Sequence, residues 1–450
     1  MQIIAGAAAL VAAAACSAAA QDIAGDWQGT LSGPGVALRV VVHIVRDGAA
    51  LAGTLDSPDQ ATIGIPLTAV ALTGTTLTFS VPAVNGTYTG TLSPQGTLDG
   101  RWSQGAQALP LVLARGSSVP AMRRPQTPAP PYPYREEDVS YASAPGVRLA
   151  GTLTVPPGAG PFPGVVLVTG SGPQDRDETL LGHQPFKVLA DHLTRHGVAV
   201  LRADDRGTGK STGTFAAATT MDFAADAEAG LAYLASRKEI NPRKLGLIGH
   251  SEGAVVAPIV AARNASVAFL VLLAGSALPG DEVLLSQQAL IAAANGAAPE
   301  LVQRASAALR EVFTTLKTVT DEAALGPALR QKLIGLVPEA QIDAQIATLR
   351  SPWYRFFLAY DPAPALRSLR CPVLALTGEK DLQVPAKPNV AAIRAALEAG
   401  GNTRSQVEEL PGLNHLFQHA TTGSPNEYAR IEETIAPEVL AKISTWIEKQ

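Results

Sequence analysis

A serine within Gly249–Gly253 (GHSEG) has the surroundings expected of an enzyme nucleophile. The segment fits the pattern G-x-S-x-G, with the apolar run Leu245–Ile248 before it and the apolar run Ala254–Ala261 after it. This order predicts a strand, a sharp turn and a helix, the context in which the pattern marks a nucleophile elbow. The two glycines are expected where strand and helix approach too closely for a Cβ atom. Ser251 is therefore the predicted nucleophile.

A serine hydroxyl is a poor nucleophile at neutral pH and needs a base that accepts its proton. In a site built on this pattern the acid and the histidine follow the serine along the chain. The histidines after Ser251 are His415 and His419. His415 is the predicted base because it follows turn residues in a loop, where an exposed and mobile base belongs. His419 is interpreted as a surface residue or lid contact, and His250 is expected to point away from the substrate.

The carboxylate that orients the base should follow a strand. The apolar run Pro372–Thr377 is typical of a buried parallel strand, and the turn after it contains Glu379 and Asp381. Either acid could fix the tautomer of the imidazole and stabilise the imidazolium without taking the proton itself. Glu379 could instead pair with Lys380 or an arginine at the surface.

A tetrahedral intermediate needs two hydrogen-bond donors aimed at its oxyanion. The backbone N–H of Glu252, the residue after the nucleophile, is the first predicted donor. The second should come from the loop after an earlier strand. Val165–Thr169 is that strand and Gly170–Pro173 is its loop, so the N–H of Ser171 is the second predicted donor. The alternative is that this loop is only a tight turn.

The segment Asp204–Thr212 superficially resembles a phosphate-binding loop. That pattern requires a glycine at the position that Asp204 occupies. The carboxylates of Asp204 and Asp205 would also repel a phosphate. The segment is better interpreted as the turn after the strand Val198–Arg202, and nucleotide binding is not predicted.

Together these motifs indicate a family. From about Glu136 to its end, the chain resembles the α/β-hydrolase serine esterases, and in particular one bacterial carboxylesterase group that carries a β-rich domain before the hydrolase domain. The resemblance implies that Asp381 is the acid, because its Gly-x-x-Asp turn closed by Val-Pro is similar to the family's acid loop. It also implies ester hydrolysis through an acyl-enzyme, without settling which ester. The segments that carry the closer resemblance are 169–177, 182–186, 189–193 and 431–438.

Length and composition narrow the classes of function. A chain of 450 residues is expected to form two or more domains. The net charge is −4, with 16% charged residues, and there is no basic block, so a nucleic-acid partner is not expected. No cluster of histidine, cysteine or aspartate has metal-ligand spacing, so neither a metal nor another cofactor is predicted. Cys371 opens the strand before Asp381 and is expected to be a buried, small apolar residue.

The first 20 residues are nearly all alanine, valine, leucine and isoleucine, and they end in small residues. The segment 1–20 therefore predicts a secretory signal peptide with an A-x-A cleavage site, although its start lacks lysine and arginine. An uncleaved membrane anchor and lipidation at Cys16 are the alternatives. We expect a secreted or periplasmic protein with no transmembrane segment after signal removal.

The rest of the chain divides by pattern. Residues 22–115 contain short runs of valine, threonine and leucine separated by glycine turns, which predict a small all-β sandwich or barrel. This β-rich domain is interpreted as a scaffold or dimerisation module, with ligand binding as the alternative, and homo-oligomerisation stays open. Residues 116–134 are rich in proline and predict a semi-rigid linker.

Residues 135–450 are the predicted catalytic domain. Strands and helices alternate in it, which predicts the doubly wound, mostly parallel sheet of the α/β-hydrolase fold. The alternation stops over 278–366, a helical stretch interpreted as a cap inserted over the site. Trp353–Phe357 forms an aromatic cluster there, either lining for an acyl pocket or ordinary cap core.

The predicted function is a serine carboxylesterase acting on small to medium acyl esters, with a small-molecule ester as its partner. A serine peptidase or amidase would use the same residues, but would require an acidic pair in the cap to hold a peptide amine. Thioester hydrolysis is a third alternative. The non-enzymatic alternative is a binding module on an inactive hydrolase fold, against which the intact set Ser251, Asp381 and His415 argues.

Overall fold

The computed structural model describes residues 22–33, 36–48, 50–60, 62–105, 107–116 and 123–450. These residues divide mainly into two compact units, one built from the β-rich segment and one from residues 123–450. The predicted signal peptide and Cys16 lie outside the described residues. Within the described part of the chain, no helix combines the length and the apolar character needed to cross a membrane.

The first unit is an antiparallel β structure. Its sheet has the order β4-β3-β2-β1-β9-β8-β7-β6-β5, and the register is antiparallel within the groups β2-β3-β4 and β1-β9-β8-β7-β6-β5. Among its described residues the strands are β1 (Gly25–Gly33), β2 (Val36–Asp47), β3 (Ala50–Ser57), β4 (Thr62–Pro66), β5 (Thr68–Thr73), β6 (Thr76–Val81), β7 (Gly86–Leu92), β8 (Leu98–Gln104) and β9 (Gln107–Arg115).

Alternating burial gives this sheet an apolar inner face. Along β6 every second residue is buried, which places one face of the strand on a core and the other towards solvent. Trp27, Phe79 and Tyr88 are buried in that core. The N–H of Leu67, just before β5, donates to the carbonyl of Gly53 on β3 at 3.0 Å, so the two ends of the sheet approach each other. The prediction of a small all-β sandwich or barrel is confirmed as a barrel-like unit.

The second unit contains a sheet with the order β10-β11-β13-β12-β14-β15-β16-β17. The first two pairings are antiparallel and the following ones are parallel. The prediction of a mostly parallel α/β-hydrolase sheet is confirmed. The strands are β10 (Arg135–Ala144), β11 (Val147–Val155), β12 (Phe162–Val168), β13 (Ala199–Ala203), β14 (Ile240–His250), β15 (Phe269–Leu273), β16 (Val373–Gly378) and β17 (Ser405–Leu410).

Helices cover both faces of this sheet and enclose two apolar cores. α2, α3 and α10 contribute to one core, and α1 and α12 contribute to the other. Strands such as β15 and β16 are buried along their whole length, which is why their sequences are apolar without alternation. The helices outside the cap are α1 (Pro185–Arg195), α2 (Thr220–Ala235), α3 (Gly253–Arg263), α10 (Ala386–Ala399), α11 (Pro425–Tyr428) and α12 (Pro437–Ile447).

A helical insertion lies between β15 and β16, as the cap prediction requires. Its helices pack around their own small core, which includes Phe313, Leu325 and Ile342. Most of the insertion is held together by contacts among its own helices, but its last helix buries Leu366 in one of the two sheet cores. Its helices are α4 (Gly280–Ala294), α5 (Pro299–Thr318), α6 (Glu322–Leu333), α7 (Ile342–Leu349), α8 (Pro352–Ala359) and α9 (Ala363–Ser368).

Part of the proline-rich segment belongs to the second unit. The guanidinium of Arg124 donates to the carbonyls of Leu181 and Ala429 at 2.8 Å each, and to that of Ile431 at 3.1 Å. Tyr134 donates its hydroxyl to Asp191 on α1 at 2.8 Å. Residues 123–134 are thus bonded to the hydrolase unit that they precede.

Candidate active site

Ser251 lies on the turn between β14 and α3. Its φ of +54° is in the left-handed region, which residues with a Cβ atom rarely adopt and which costs of order 1–3 kcal/mol. Its N–H donates to the carbonyl of Leu273 on β15 at 2.8 Å. The sheet therefore holds this serine in a strained conformation at the carboxyl edge of the parallel strands, where sites of this fold class form.

Two glycines make the turn sterically allowed. A Cβ atom on Gly249 would lie 2.0 Å from the carbonyl oxygen of Gly253, and one on Gly253 would lie 2.1 Å from the carbonyl oxygen of Val168. In both cases the obstacle is backbone, which cannot rotate away as a side chain can. These contacts are the physical reason for the glycines of the G-x-S-x-G pattern.

The Gly249→Ala substitution is expected to destabilise the folded protein by about 3 kcal/mol, because strand and helix must separate to admit the methyl group. A drop of roughly 5–10 °C in thermal midpoint should follow. The matched control is Gly326→Ala in α6, where the nearest atom would be an Arg350 nitrogen at 3.6 Å and alanine favours the helix. Equal thermal midpoints for the two variants would contradict the steric argument.

His415 and Asp381 lie together after β17 and β16. The Nδ1 atom of His415 is 2.7 Å from Oδ2 of Asp381, and both side chains are almost completely buried. The other oxygen, Oδ1, accepts the N–H groups of Gln383 and Val384 at 2.8 Å each. The carboxylate is thus fixed by backbone donors on one side and faces the imidazole on the other.

This geometry selects a tautomer. With Nδ1–H donating to the carboxylate, Nε2 of His415 is left as the acceptor, which is the form that a general base requires. The other candidates for the acid and the base, Glu379 and His419, make different contacts. Glu379 accepts the N–H of Gly412 at 2.9 Å, and His419 is exposed and pairs with Glu433 at 2.9 Å.

Two backbone donors near Ser251 point to a place for an oxyanion. The N–H of Gly170 is already bonded to Glu178 at 2.8 Å, and the N–H of Ser251 is bonded to Leu273. Among the described residues, no protein acceptor is found for the N–H groups of Ser171 and Glu252. These are the two predicted donors, and both residues line the same cavity as Ser251.

A buried ion pair, which sequence reasoning missed, lies behind the elbow. Nδ1 of His250 is 2.9 Å from Oε1 of Glu178, and Nε2 is 3.1 Å from the carbonyl oxygen of His415. Both ring nitrogens face acceptors, so His250 is placed as an imidazolium. Burial alone would lower the pKa of His250, but the charge and hydrogen bond of Glu178, the carbonyl of His415 and the charge of Asp381 together outweigh burial, and the pKa is raised.

Glu178 connects the loop after β12 to the elbow, because the same oxygen accepts from Gly170 and faces His250. Glu178 and His250 are 72 residues apart in sequence, and no local spacing relates them. His250 also lines the cavity that contains Ser251, but both of its ring nitrogens are bonded, one of them to the loop that carries His415.

Asp205 also supports the loop after β12. Its carboxylate accepts the hydroxyl of Thr169 at 2.9 Å and the N–H of Gln174 at 2.9 Å. Burial raises its pKa to about 7. The segment that superficially resembled a phosphate-binding loop therefore acts as a turn that anchors the neighbouring loop.

The side chain of Glu252 is also buried, and both of its carboxylate oxygens accept hydrogen bonds. Its carboxylate accepts the hydroxyl of Thr220 at 2.7 Å and the indole N–H of Trp353 at 2.8 Å and 2.9 Å to the two oxygens. The pKa of Glu252 is raised by burial, which the hydrogen bonds from Thr220 and Trp353 offset only in part. Trp353 is on the cap helix α8, so this carboxylate joins the elbow to the cap.

A cavity of about 350 Å³ lies over the elbow. It brings together Ser251, His415, Ser171 and Glu252, while Asp381 lies beside it and is bonded to His415. The walls from the cap are Val283, Leu284, Gln287, Trp353 and Phe357.

The aromatic cluster of the cap divides between the two roles considered from the sequence. The rings of Trp353 and Phe357 stack with centroids 5.1 Å apart, and both residues line the cavity. Tyr354 packs against Phe313 of the cap core, and Phe356 stacks against Tyr360. One part of the cluster is cavity lining and the other is cap packing.

Metal-ligating side chains do not converge in the described residues: no group of three or more histidines, cysteines, aspartates or glutamates is placed to hold an ion there.

Cys371 carries a free thiol whose pKa is raised by burial. The titratable groups around Ser251 are thus partnered with one another and with backbone donors.

Several known proteins are similar to this chain. Over 324 residues the chain is 27% identical to the esterase EstD of Thermotoga maritima, covering 71% of this chain and 69% of that protein. The esterase Pf2001 of Pyrococcus furiosus covers 74% of this chain and 99% of its own, with 15% identity and a TM-score of 0.44. The α/β-hydrolase GrgF of Penicillium sp. sh18 covers 70% of this chain and 98% of its own, with 16% identity and a TM-score of 0.44.

The resemblance to bacterial esterases and the prediction of a hydrolase enzyme are confirmed by these comparisons. Residues 184–420 also match the model of the family described as serine aminopeptidase, S33. The match includes the elbow, the acid loop and the loop of His415, and it covers more than half of the chain. The protein therefore belongs to the serine aminopeptidase S33 family of hydrolases.

Proposed function

We propose that this protein is a serine carboxylesterase that hydrolyses small to medium acyl esters through an acyl-enzyme. The observation that carries the proposal is the placement of Ser251, on a left-handed turn, in one cavity with a histidine whose Nδ1 is 2.7 Å from a buried aspartate. The esterase relative from Thermotoga maritima supports the same class of reaction.

In the first half of the reaction, Oγ of Ser251 attacks the ester carbonyl while Nε2 of His415 accepts its proton. Asp381 stabilises the imidazolium that forms. The N–H groups of Ser171 and Glu252 donate to the oxyanion of the tetrahedral intermediate. When the C–O bond to the alcohol breaks, His415 gives the proton to the departing alkoxide, and the acyl group stays on Ser251.

The second half repeats these steps with water. His415 accepts a proton from a water molecule, whose oxygen attacks the acyl carbonyl. The same two N–H groups hold the second oxyanion. Collapse releases the carboxylic acid and returns the proton to Ser251, so the enzyme is restored and one water molecule is consumed per ester.

The cavity favours an ester over an aminoacyl amide. An aminopeptidase needs a carboxylate free to bind the substrate's amine, and within the described residues the cap contributes only apolar side chains and Gln287 to the cavity lining. The carboxylates that do line it, Glu178 and Glu252, are bonded to His250 and to Thr220 and Trp353. The walls therefore suit an uncharged acyl chain.

The test is a substrate panel with purified protein. We expect turnover of p-nitrophenyl acetate, butyrate, hexanoate and octanoate, and of the unactivated ethyl esters followed by proton release. The value of kcat/KM for butyrate or hexanoate should exceed that for alanine p-nitroanilide by at least about 10³-fold, because the anilide's amine would find no unpaired carboxylate.

Each other outcome points to a named alternative. Faster cleavage of the anilide would assign a peptidase. Preference for an acyl thioester over the matched ester would assign a thioesterase. No turnover of any substrate, with saturable binding of the esters, would assign a binding module.

A further inference from the structure

The carboxylate of Glu252 is the meeting point of three parts of the site. It is 4% exposed and accepts hydrogen bonds from Thr220 at the start of α2 and from the indole of Trp353 in the cap. The side chain of Ser171, from the loop after β12, is a further polar neighbour that lowers the pKa of this carboxyl group. Ser171 and Glu252 are the residues whose N–H groups are the proposed oxyanion donors, so a buried carboxylate near both donors is bonded to the cap.

The indole N–H of Trp353 bonds to this carboxylate, and the ring forms part of the cavity wall. The indole N–H lies 2.8 Å and 2.9 Å from the two carboxylate oxygens, which fixes the orientation of the ring. The ring stacks on Phe357 one turn later in α8, and both rings line the cavity. An acyl chain that fills the cavity would therefore touch the same side chain that bonds to Glu252.

The hydrogen bond between the indole and Glu252 is important because the side chain of Glu252 is buried. A buried carboxyl group depends on its hydrogen-bond partners, because a polar group without a partner is costly away from water. Displacement of the indole would leave the carboxyl group with fewer partners and would disturb the residue that follows the nucleophile.

We infer that Trp353 is a positioning residue that couples occupancy of the acyl cavity to the oxyanion donors. The inference rests on the proposed esterase function. An acyl chain long enough to pack on Trp353 and Phe357 holds the indole against Glu252, and the carboxylate in turn holds the N–H groups of Glu252 and Ser171 in place. Binding energy from the acyl chain is thereby used in the transition state, where it raises kcat, and not only in the ground state, where it would lower KM alone.

The Trp353→Phe variant tests the coupling because it keeps an aromatic ring in the wall and removes the N–H donor. In the wild type, kcat for p-nitrophenyl esters is expected to rise from acetate through butyrate to hexanoate. In the variant, kcat should be nearly independent of acyl length, while KM still falls with length. At hexanoate kcat should be about tenfold lower than in the wild type, as expected when a buried acceptor loses one hydrogen bond.

Two further variants separate the hydrogen bond from the loss of volume and from cap stability. Glu252→Gln leaves the cavity wall intact but offers the indole only one acceptor oxygen, and it should flatten the dependence of kcat on acyl length as Trp353→Phe does. Phe356→Leu changes an aromatic residue on the same helix whose ring stacks on Tyr360 instead, and it should retain the wild-type dependence. Thermal midpoints are measured for all three variants.

The inference is overturned if Trp353→Phe retains the wild-type rise in kcat with acyl length. It is also overturned if kcat falls by the same factor at every length with a lowered thermal midpoint, because a purely structural role predicts that result. Failure of the proposed function is a separate result, in which the wild type itself does not turn over the esters.

Discussion

Replacing Ser251 by alanine is expected to lower kcat for ester hydrolysis by about 10⁶-fold, the size of effect found when the nucleophile of a serine hydrolase is removed. No acyl-enzyme can form without the hydroxyl. The remaining parts of the site still bind the ester and present two oxyanion donors, so a small rate above that of water should persist. Initial rates with p-nitrophenyl butyrate, measured at high enzyme concentration, give the ratio.

Covalent labelling supplies an independent measurement of the same prediction. A fluorophosphonate probe should label the wild type and leave Ser251→Ala unlabelled, with identical circular dichroism spectra for the two proteins. The matched control is Ser236→Ala, a change to an exposed serine at the end of α2, which should be labelled and turned over as the wild type is. Labelling or substantial turnover of Ser251→Ala would assign the nucleophile to another residue.

The Asp381→Asn substitution is expected to lower kcat by about 10⁴-fold, although only one oxygen is exchanged for an NH₂ group. Oδ1 of Asp381 accepts two backbone N–H groups, so the amide oxygen of asparagine should stay there. The NH₂ group then faces Nδ1 of His415 and donates to it. That bond places the imidazole proton on Nε2, and this tautomer cannot accept the proton of Ser251.

The contrast with Glu379→Gln makes the prediction specific. Glu379 lies two residues away on the same turn, and its carboxylate accepts from Gly412 and not from His415. This variant should retain kcat within about threefold of the wild type, as for a surface substitution away from the reacting groups. A large loss in Glu379→Gln together with a small loss in Asp381→Asn would reverse the assignment of the acid.

Much of the site could be predicted from short-range patterns in the sequence. The elbow around Ser251 is predictable because the clashes that require Gly249 and Gly253 arise within a few residues of one strand–turn–helix segment. The apolar runs of β12, β14, β15 and β16 were equally readable, since a strand buried on both faces needs no alternation. Backbone sterics and burial act at short range in the sequence, so these features appear as patterns.

Short-range sequence patterns could not decide whether Glu379 or Asp381 is the acid. Both acids occupy one turn after a predicted strand, and the residues alone left them open until the family resemblance favoured Asp381. Their difference is one of direction, because one carboxylate faces His415 and the other faces the N–H of Gly412. Side-chain direction after a turn depends on the backbone angles of that turn, which two neighbouring acids do not reveal.

The sequence by itself therefore determined the strand–turn–helix around Ser251, the α/β class and the presence of a helical insertion. Only the tertiary structure decided which side chains surround the nucleophile. Glu178 meets His250 across 72 residues, and Glu252 meets Trp353 across 101 residues. Such pairs form because separate elements pack their buried polar groups against each other to satisfy them, and that matching depends on how the cap and the loops are folded over the sheet.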